Sequence, residues 1–149
     1  MIPSPPRDPE PLKVLFVCYG NICRSPMAAA IARKRYGSRV TASSAGIAAA
    51  GGPAADEAVL VMKILFQTDI SGHVSRPVEA CDLAAFDYVV AMDFLVYSRL
   101  KELGGVPEER LYAWDIEDPL GQGYDVFRET ALKIERRLAQ FLSGLGIES

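Results

Sequence analysis

The sequence predicts a single α/β domain of three layers, a four-stranded parallel sheet with helices on both faces. Three observations predict it. The chain has 149 residues, one domain's worth, and a fold of that size buries roughly 70% of the surface its unfolded chain exposes. Val14-Leu15-Phe16-Val17 and Tyr88-Val89-Val90-Ala91-Met92 are short, continuous apolar runs, the pattern of strands covered on both faces. Helix-like segments alternate with such runs, and that alternation implies parallel strands joined by right-handed crossovers.

Residues 1–12 hold five prolines and no apolar period, which predicts a flexible N-terminal extension with the domain spanning 13–149. The first strand follows at Lys13, then the loop Cys18-Tyr19-Gly20-Asn21-Ile22-Cys23-Arg24 and an alanine-rich helix to Tyr36. Ser25 is placed to cap that helix, with Pro26 in its first turn. Arg39–Ser44 reads as the second strand, and Pro53 opens a helix over Ala54–Phe66. The third strand is Tyr88–Met92. A helix over Phe94–Leu103 is stopped by Gly104-Gly105, and Arg110–Trp114 gives a short fourth strand. Phe127, Thr130, Ile134, Leu138 and Phe141 recur at helical spacing and predict a last helix ending near Gly144.

Composition narrows the function. Sixteen Lys and Arg against 19 Asp and Glu leave a net charge of −3, which argues against a nucleic-acid or anionic-membrane surface. Any anion must be caught locally. Three cysteines cannot pair completely, no secretory leader precedes them, and no apolar run approaches a membrane span, so a cytoplasmic location is expected. His73 is the single histidine, and the cysteines lack paired C-x-x-C spacing. Neither a metal centre nor a cofactor is expected.

In parallel α/β sheets ligands bind at the carboxyl ends of the strands, where the loop after the first strand lies. Chance supplies a Cys-x5-Arg somewhere in such a chain with probability roughly 0.2. Adding Gly two after the cysteine and Ser or Thr after the arginine reduces it to about 0.002. A loop passing from a buried strand into a helix N-terminus directs backbone N–H groups and the helix dipole at one spot, an anion site. Gly20 is expected to let the backbone curl closely, and Arg24 offers a planar fork for two phosphate oxygens. Cys18 lies at the floor, where the same field favours its thiolate. Cys18 could instead be an ordinary buried core cysteine. Arg24 opposes that, because a cation at a helix start is unfavourable unless an anion sits in front of it. A Walker loop would need Gly-Lys-Ser/Thr, and a thioredoxin pair would need two intervening residues where Cys18 and Cys23 have four. Cys23 is expected to pack at the helix start, with a reversible Cys18–Cys23 disulfide as the alternative.

A cysteinyl-phosphate mechanism needs an acid for the leaving oxygen and then a base for water. Asp115, Glu117 and Asp118 follow the fourth strand. Pro119 stiffens the backbone of Asp118 and keeps it out of the helical region, which favours Asp118 over its neighbours.

Taken together, VLFVCYGNICRSPMAAA at 14–30, SSAG at 43–46, DISGH at 69–73, FDYVVAMD at 86–93 and Asp118-Pro119 resemble the low-molecular-weight protein tyrosine phosphatases. The resemblance covers nearly all of 13–144. It implies Cys18 as nucleophile, Arg24 as phosphate clamp, Asp118 as acid then base, and Ser25 as the hydroxyl that stabilises the thiolate. It further implies that Asn21, Ser44 and His73 hold the loop in shape, while Tyr19, Gly20, Asn21, Ile22, Cys23 and Ser25 surround a phosphate or similar oxyanion. The partner it implies is a phosphorylated protein.

Two departures stand out. Leu120-Gly121-Gln122-Gly123 follows Asp118-Pro119 where the family usually has one or two tyrosines, and Ala48-Ala49-Ala50 replaces an aromatic often found after the SSAG-like segment. Tyr19 is the expected substitute wall for a substrate ring, with Tyr124 as a second candidate that could equally be core. The related arginine phosphatases resemble one another in having Thr where this chain has Ile22, so the bulkier Ile22 favours aryl phosphate esters. Similar arsenate reductases carry further cysteines after the third strand, where this chain reads Ala91-Met92-Asp93 with Cys81 before it. A catalytically silent phosphate-binding module is the remaining alternative.

Overall fold

The computed structural model describes residues 10–149. The sheet consists of β1 (Leu12–Cys18), β2 (Val40–Gly46), β3 (Tyr88–Ala91) and β4 (Leu111–Ala113), in spatial order β2-β1-β3-β4 with every pairing parallel. Four α-helices surround it: α1 (Arg24–Tyr36), α2 (Asp56–Phe66), α3 (Phe94–Leu103) and α4 (Tyr124–Gly144). The expected three-layer arrangement is therefore present. Of the expected extension, residues 1–9 lie outside the described residues, and Leu12 already belongs to β1, paired with Val40.

β1 sits between two strands and is buried from Val14 to Cys18. Successive side chains of a strand point to opposite faces. Val14, Phe16 and Cys18 accordingly join the core under α1, α2 and α4, while Leu15 and Val17 join a smaller core under α3. Full burial of each Val, Leu or Phe stabilises the fold by about 1.5–3 kcal/mol. α1 has no polar stripe over its first nine residues: Arg24 through Ala32 are all buried. Alanines suit this position because β2, α2 and α4 all approach closely.

Most element boundaries differ from the sequence expectation by one to three residues, for visible reasons. β2 runs on to Gly46 because Ala45 and Gly46 still pair with Val17 and Cys18. α2 begins at Asp56 because Ala55 donates its N–H to the Ile22 carbonyl (2.9 Å), which holds the chain extended up to that point. α1 starts at Arg24, and Ser25 is not its cap: no side chain caps this helix, and the Ser25 hydroxyl turns inward to Cys18. α4 starts at Tyr124 and carries Phe127, Thr130, Ile134 and Leu138 on its buried face. Phe141 instead meets Tyr88, Tyr112 and Trp114 edge-on at the side of the sheet.

Candidate active site

The loop between β1 and α1 is held by its carbonyl oxygens. Cys18 O accepts from Ile47 N (3.1 Å), Tyr19 O from Ala48 N (2.8 Å), and Ile22 O from Ala55 N (2.9 Å). Asn21 O accepts from His73 Nε2 (2.7 Å), which fixes the proton of that ring nitrogen. A trans peptide points its N–H opposite to its C=O. Tying these four carbonyls outward therefore turns the N–H groups of Tyr19, Gly20, Ile22 and Cys23 toward the inside of the loop. The remaining N–H, that of Asn21, meets Cys18 Sγ at 3.2 Å. The result is an anion cradle at a helix N-terminus.

The left-handed turn falls on Asn21, at φ +56, a conformation that Asn tolerates better than most residues. Its buried side chain secures it: Nδ2 donates to Ser25 Oγ (2.8 Å), and Oδ1 accepts from Arg76 N (2.9 Å). Gly20 is not the glycine that the geometry requires. A Cβ there would meet only Ile22 Cγ1, at an ordinary 3.7 Å. At Gly46 it would stand 2.8 Å from both Asn21 N and Tyr19 O, so the loop backbone rests directly on that glycine.

Cys18 is buried at the cradle floor, with Ser25 Oγ 2.9 Å from its sulfur. The Ser25 hydroxyl has one proton and two possible acceptors, Cys18 Sγ and Ala45 O at 3.3 Å. A charged sulfur wins that competition, because hydrogen bonds to ions are about twice as strong as neutral ones. A thiolate at Cys18 would thus receive two hydrogen bonds. Cys23 is in the opposite situation. Burial, reinforced by the charges of Asp118 and Cys18, pushes its thiol up to about 12, so it stays protonated near neutral pH. Both cysteines are free thiols.

Arg24 is buried beside them. Its Nη1 donates to Asp93 Oδ2 at 2.6 Å and to Ile116 O at 2.8 Å. Nε finds no partner among the described residues. The edge formed by Nε and Nη2 is consequently the one left to grip an oxyanion with two parallel N–H groups. Asp93 does two things at once, because its Oδ1 also caps α3 by accepting from Val96 N (2.9 Å). The sequence reading missed Asp93. An Asp directly before an apolar helix is an N-cap pattern, but nothing local indicated that its second oxygen reaches Arg24.

After β4, Ile116 N bonds Met92 O (2.9 Å), and Trp114 and Ile116 are buried. Asp115, Glu117 and Asp118 are all exposed. Asp118 differs from the other two. Its Oδ1 accepts from Leu120 N (3.1 Å) across Pro119, and its Oδ2 stands 3.9 Å from Arg24 Nη2. Among the described residues it is the only one of the three within ion-pair distance of that guanidinium.

The remaining expected residues divide. His73 meets the loop at the Asn21 carbonyl. Ser44 does not reach it: the side chain lies over α1 beside Arg33 and His73, and no hydrogen bond joins it to the loop among the described residues. The neighbouring Ala45 carbonyl makes the contact instead, through Ser25. Tyr19 is half exposed beside the cradle, whereas Tyr124 packs against the α1–α4 core. Cys81 precedes β3 and lies on the α3 side of the sheet. A depression of about 560 Å³ exists at the opposite edge of the sheet, around Lys13, Tyr88 and Arg110, and holds none of these groups.

Comparison with known proteins gives the family. The chain is 31% identical to the low molecular weight protein-tyrosine-phosphatase Wzb of Escherichia coli K12, over 91% of this chain and 96% of that one. It is 30% identical to a protein-arginine-phosphatase of Bacillus subtilis, over 90% and 97%. A low molecular weight protein tyrosine phosphatase structure from T. tengcongensis superposes with a TM-score of 0.82 at 34% identity, covering 89% of this chain and 99% of that one. The family model for low molecular weight phosphotyrosine protein phosphatases matches residues 13–149, and the chain belongs to that family.

Proposed function

We propose that this enzyme hydrolyses phosphotyrosine in proteins, and other aryl phosphate monoesters, through a phosphate ester of Cys18. The supporting observation is the convergence on one spot of the Cys18 sulfur, the inward N–H groups of residues 19–23 and the Nε–Nη2 edge of Arg24, whose Nε has no partner among the described residues. The Cys18 thiolate attacks phosphorus while the P–O(aryl) bond breaks. The leaving oxygen keeps the electron pair and takes a proton from Asp118. In the second step the Asp118 carboxylate takes a proton from water, the water oxygen bonds to phosphorus, and the P–S bond breaks to return the thiolate. Arg24 and the loop N–H groups stabilise the phosphoryl oxygens throughout. Ser25 and Asn21 hold the thiolate, and His73 and Asp93 hold the loop and the arginine. We place the reaction in the cytoplasm, a reducing compartment suited to a catalytic thiol.

Arginine dephosphorylation is the second reading, favoured by the Bacillus subtilis relative and by the absence of an aromatic after Asp118-Pro119. Ile22 favours the tyrosine reading. It is half-buried and packed against the core at the cradle wall, where it offers no hydroxyl to a guanidinium nitrogen. Turnover of matched phosphotyrosine and phosphoarginine peptides tests the assignment: the tyrosine peptide should be preferred. Ile22→Thr should shift the kcat/KM ratio toward phosphoarginine by about tenfold to a hundredfold. A wild-type preference for phosphoarginine refutes the phosphotyrosine assignment.

A further inference from the structure

α3 is apolar on two sides. Val96 and Leu100 are buried against the sheet, yet Phe94, Leu95 and Leu103 on the same helix are 72%, 56% and 48% exposed. Leu95, Arg99 and Leu103 lie at i, i+4 and i+8, along one face. Arg99 and Leu103 of that face, with Glu102, line a trough between α3 and residues 78–84. Two depressions of about 290 and 350 Å³ form it, and they share Val78, Glu79 and Leu103, so the floor is continuous from Ile47 to Leu83.

The Ile47 end of the trough lies beside the catalytic loop, because Ile47 N is bonded to Cys18 O. From there it runs along the second half of α3, at Arg99, Glu102 and Leu103, a helix that begins after Asp93, which holds Arg24. The rim carries Glu79, Asp82 and Glu102 against the single cation Arg99. A ten-residue helix is about 15 Å long, the span of four or five extended residues at about 3.3 Å each.

We infer that this trough binds the polypeptide flanking the phosphorylated residue of a protein substrate, an extended segment with an apolar side chain next to Lys or Arg. This rests on the phosphatase assignment above and adds to it a basis for choosing among phosphoproteins. The apolar side chain covers Val78 and Leu103, and the cation meets the acidic rim. Leu103 touches none of the reacting groups, so substituting it leaves the chemistry intact.

The test compares a short phosphotyrosine peptide with versions extended on either side by four to six residues containing leucine and lysine. Para-nitrophenyl phosphate serves as the reference that the trough cannot sense. One of the two extensions should raise kcat/KM at least tenfold, mainly through KM. Leu103→Lys should erase that gain and leave para-nitrophenyl phosphate turnover unchanged, and Glu102→Lys should reduce it. A gain from neither extension, or one that survives Leu103→Lys, overturns the proposal. So does sedimentation showing a wild-type dimer that Leu103→Lys converts to monomer, since a second copy would then occupy the trough. Failure to cleave the short phosphotyrosine peptide refutes the phosphotyrosine assignment instead, and the same extensions on phosphoarginine then measure the trough.

Discussion

The two sides of the active site are built differently. The cradle side, residues 18–25, is mostly buried, and its left-handed residue Asn21 is anchored to Ser25 by its side chain and to the 73–76 segment by both side chain and carbonyl. The Asp118 side is an exposed loop in which one carboxylate oxygen accepts from its own backbone two residues on and the other makes a long ion pair, 3.9 Å from the arginine. Phosphate recognition gains from donors fixed before substrate arrives, because no reorganisation is then needed as charge develops. An acid that must next act as a base needs access to water and room to exchange its proton. The division of rigidity fits the division of labour proposed for the two sides.

Removing the rigid side's central atom has the largest effect. Cys18→Ser should lower turnover by about 10⁴-fold or more, while vanadate still binds within about tenfold of wild type by calorimetry, because the N–H cradle and Arg24 remain. Retained activity would contradict the covalent route. On the exposed side, Asp118→Asn should slow alkyl phosphates about 10²–10⁴-fold and nitrophenyl esters much less in kcat/KM, since only a poor leaving group needs the proton. The same pattern in Asp115→Asn or Glu117→Gln would move the acid to that residue.

Asp93→Asn probes what connects the two sides. Asn is as good an N-cap as Asp, so α3 should survive with melting little changed. Loss of the carboxylate that positions Arg24 Nη1 should misalign the guanidinium and weaken phosphate and vanadate inhibition about tenfold. Unchanged inhibition would make Asp93 a helix cap and nothing more.

How much of this was legible depends on sequence distance. The cradle was readable because its parts are contiguous: strand, glycine-containing loop, arginine and helix lie within a dozen residues of one another. Gly46, Arg76 and Asp93 act on that loop from 25 to 69 residues away in the chain, and their own surroundings advertise only a strand end, a loop and a helix cap. Ser25 shows the converse failure. Local pattern makes a serine at a helix start a cap, but the sulfur seven residues earlier, returned by the turn, is the partner it takes. Pro119 favours Asp118 over its neighbours in the sequence, and Asp118 is the one that stands 3.9 Å from Arg24 Nη2, whereas Ser44 resembles a loop support in the sequence and makes no hydrogen bond to the loop among the described residues.

Smaller effects sharpen the contrast. Cys23 contributes a pH-dependent term, since its thiol is raised from 9.0 to about 12 in the folded protein. The unfolded chain releases that proton first, so the contribution is fully present below pH 9 and is lost as pH rises toward 12. Wild type minus Cys23→Ala, measured by urea unfolding, should fall with a slope approaching about 1.4 kcal/mol per pH unit above pH 9. A flat difference would place Cys23 in a more solvated site. At the mouth, Tyr19→Ala should raise KM for phosphotyrosine peptides severalfold and leave KM for a small alkyl phosphate nearly unchanged, the loss of one aromatic contact. Equal changes would make Tyr19 a support for the loop.

The central claim is that phosphate passes through the sulfur of Cys18 and leaves with help from Asp118. Rapid acid quenching of Asp118→Asn during turnover of a nitrophenyl phosphate, followed by peptide mass spectrometry, tests it directly. The first step needs no proton for that leaving group, and the second lacks its base, so one phosphoryl group per chain should accumulate on the peptide containing Cys18 and be absent in a Cys18→Ser, Asp118→Asn double variant. Phosphate found on Cys23, or no adduct while turnover continues, would contradict the mechanism.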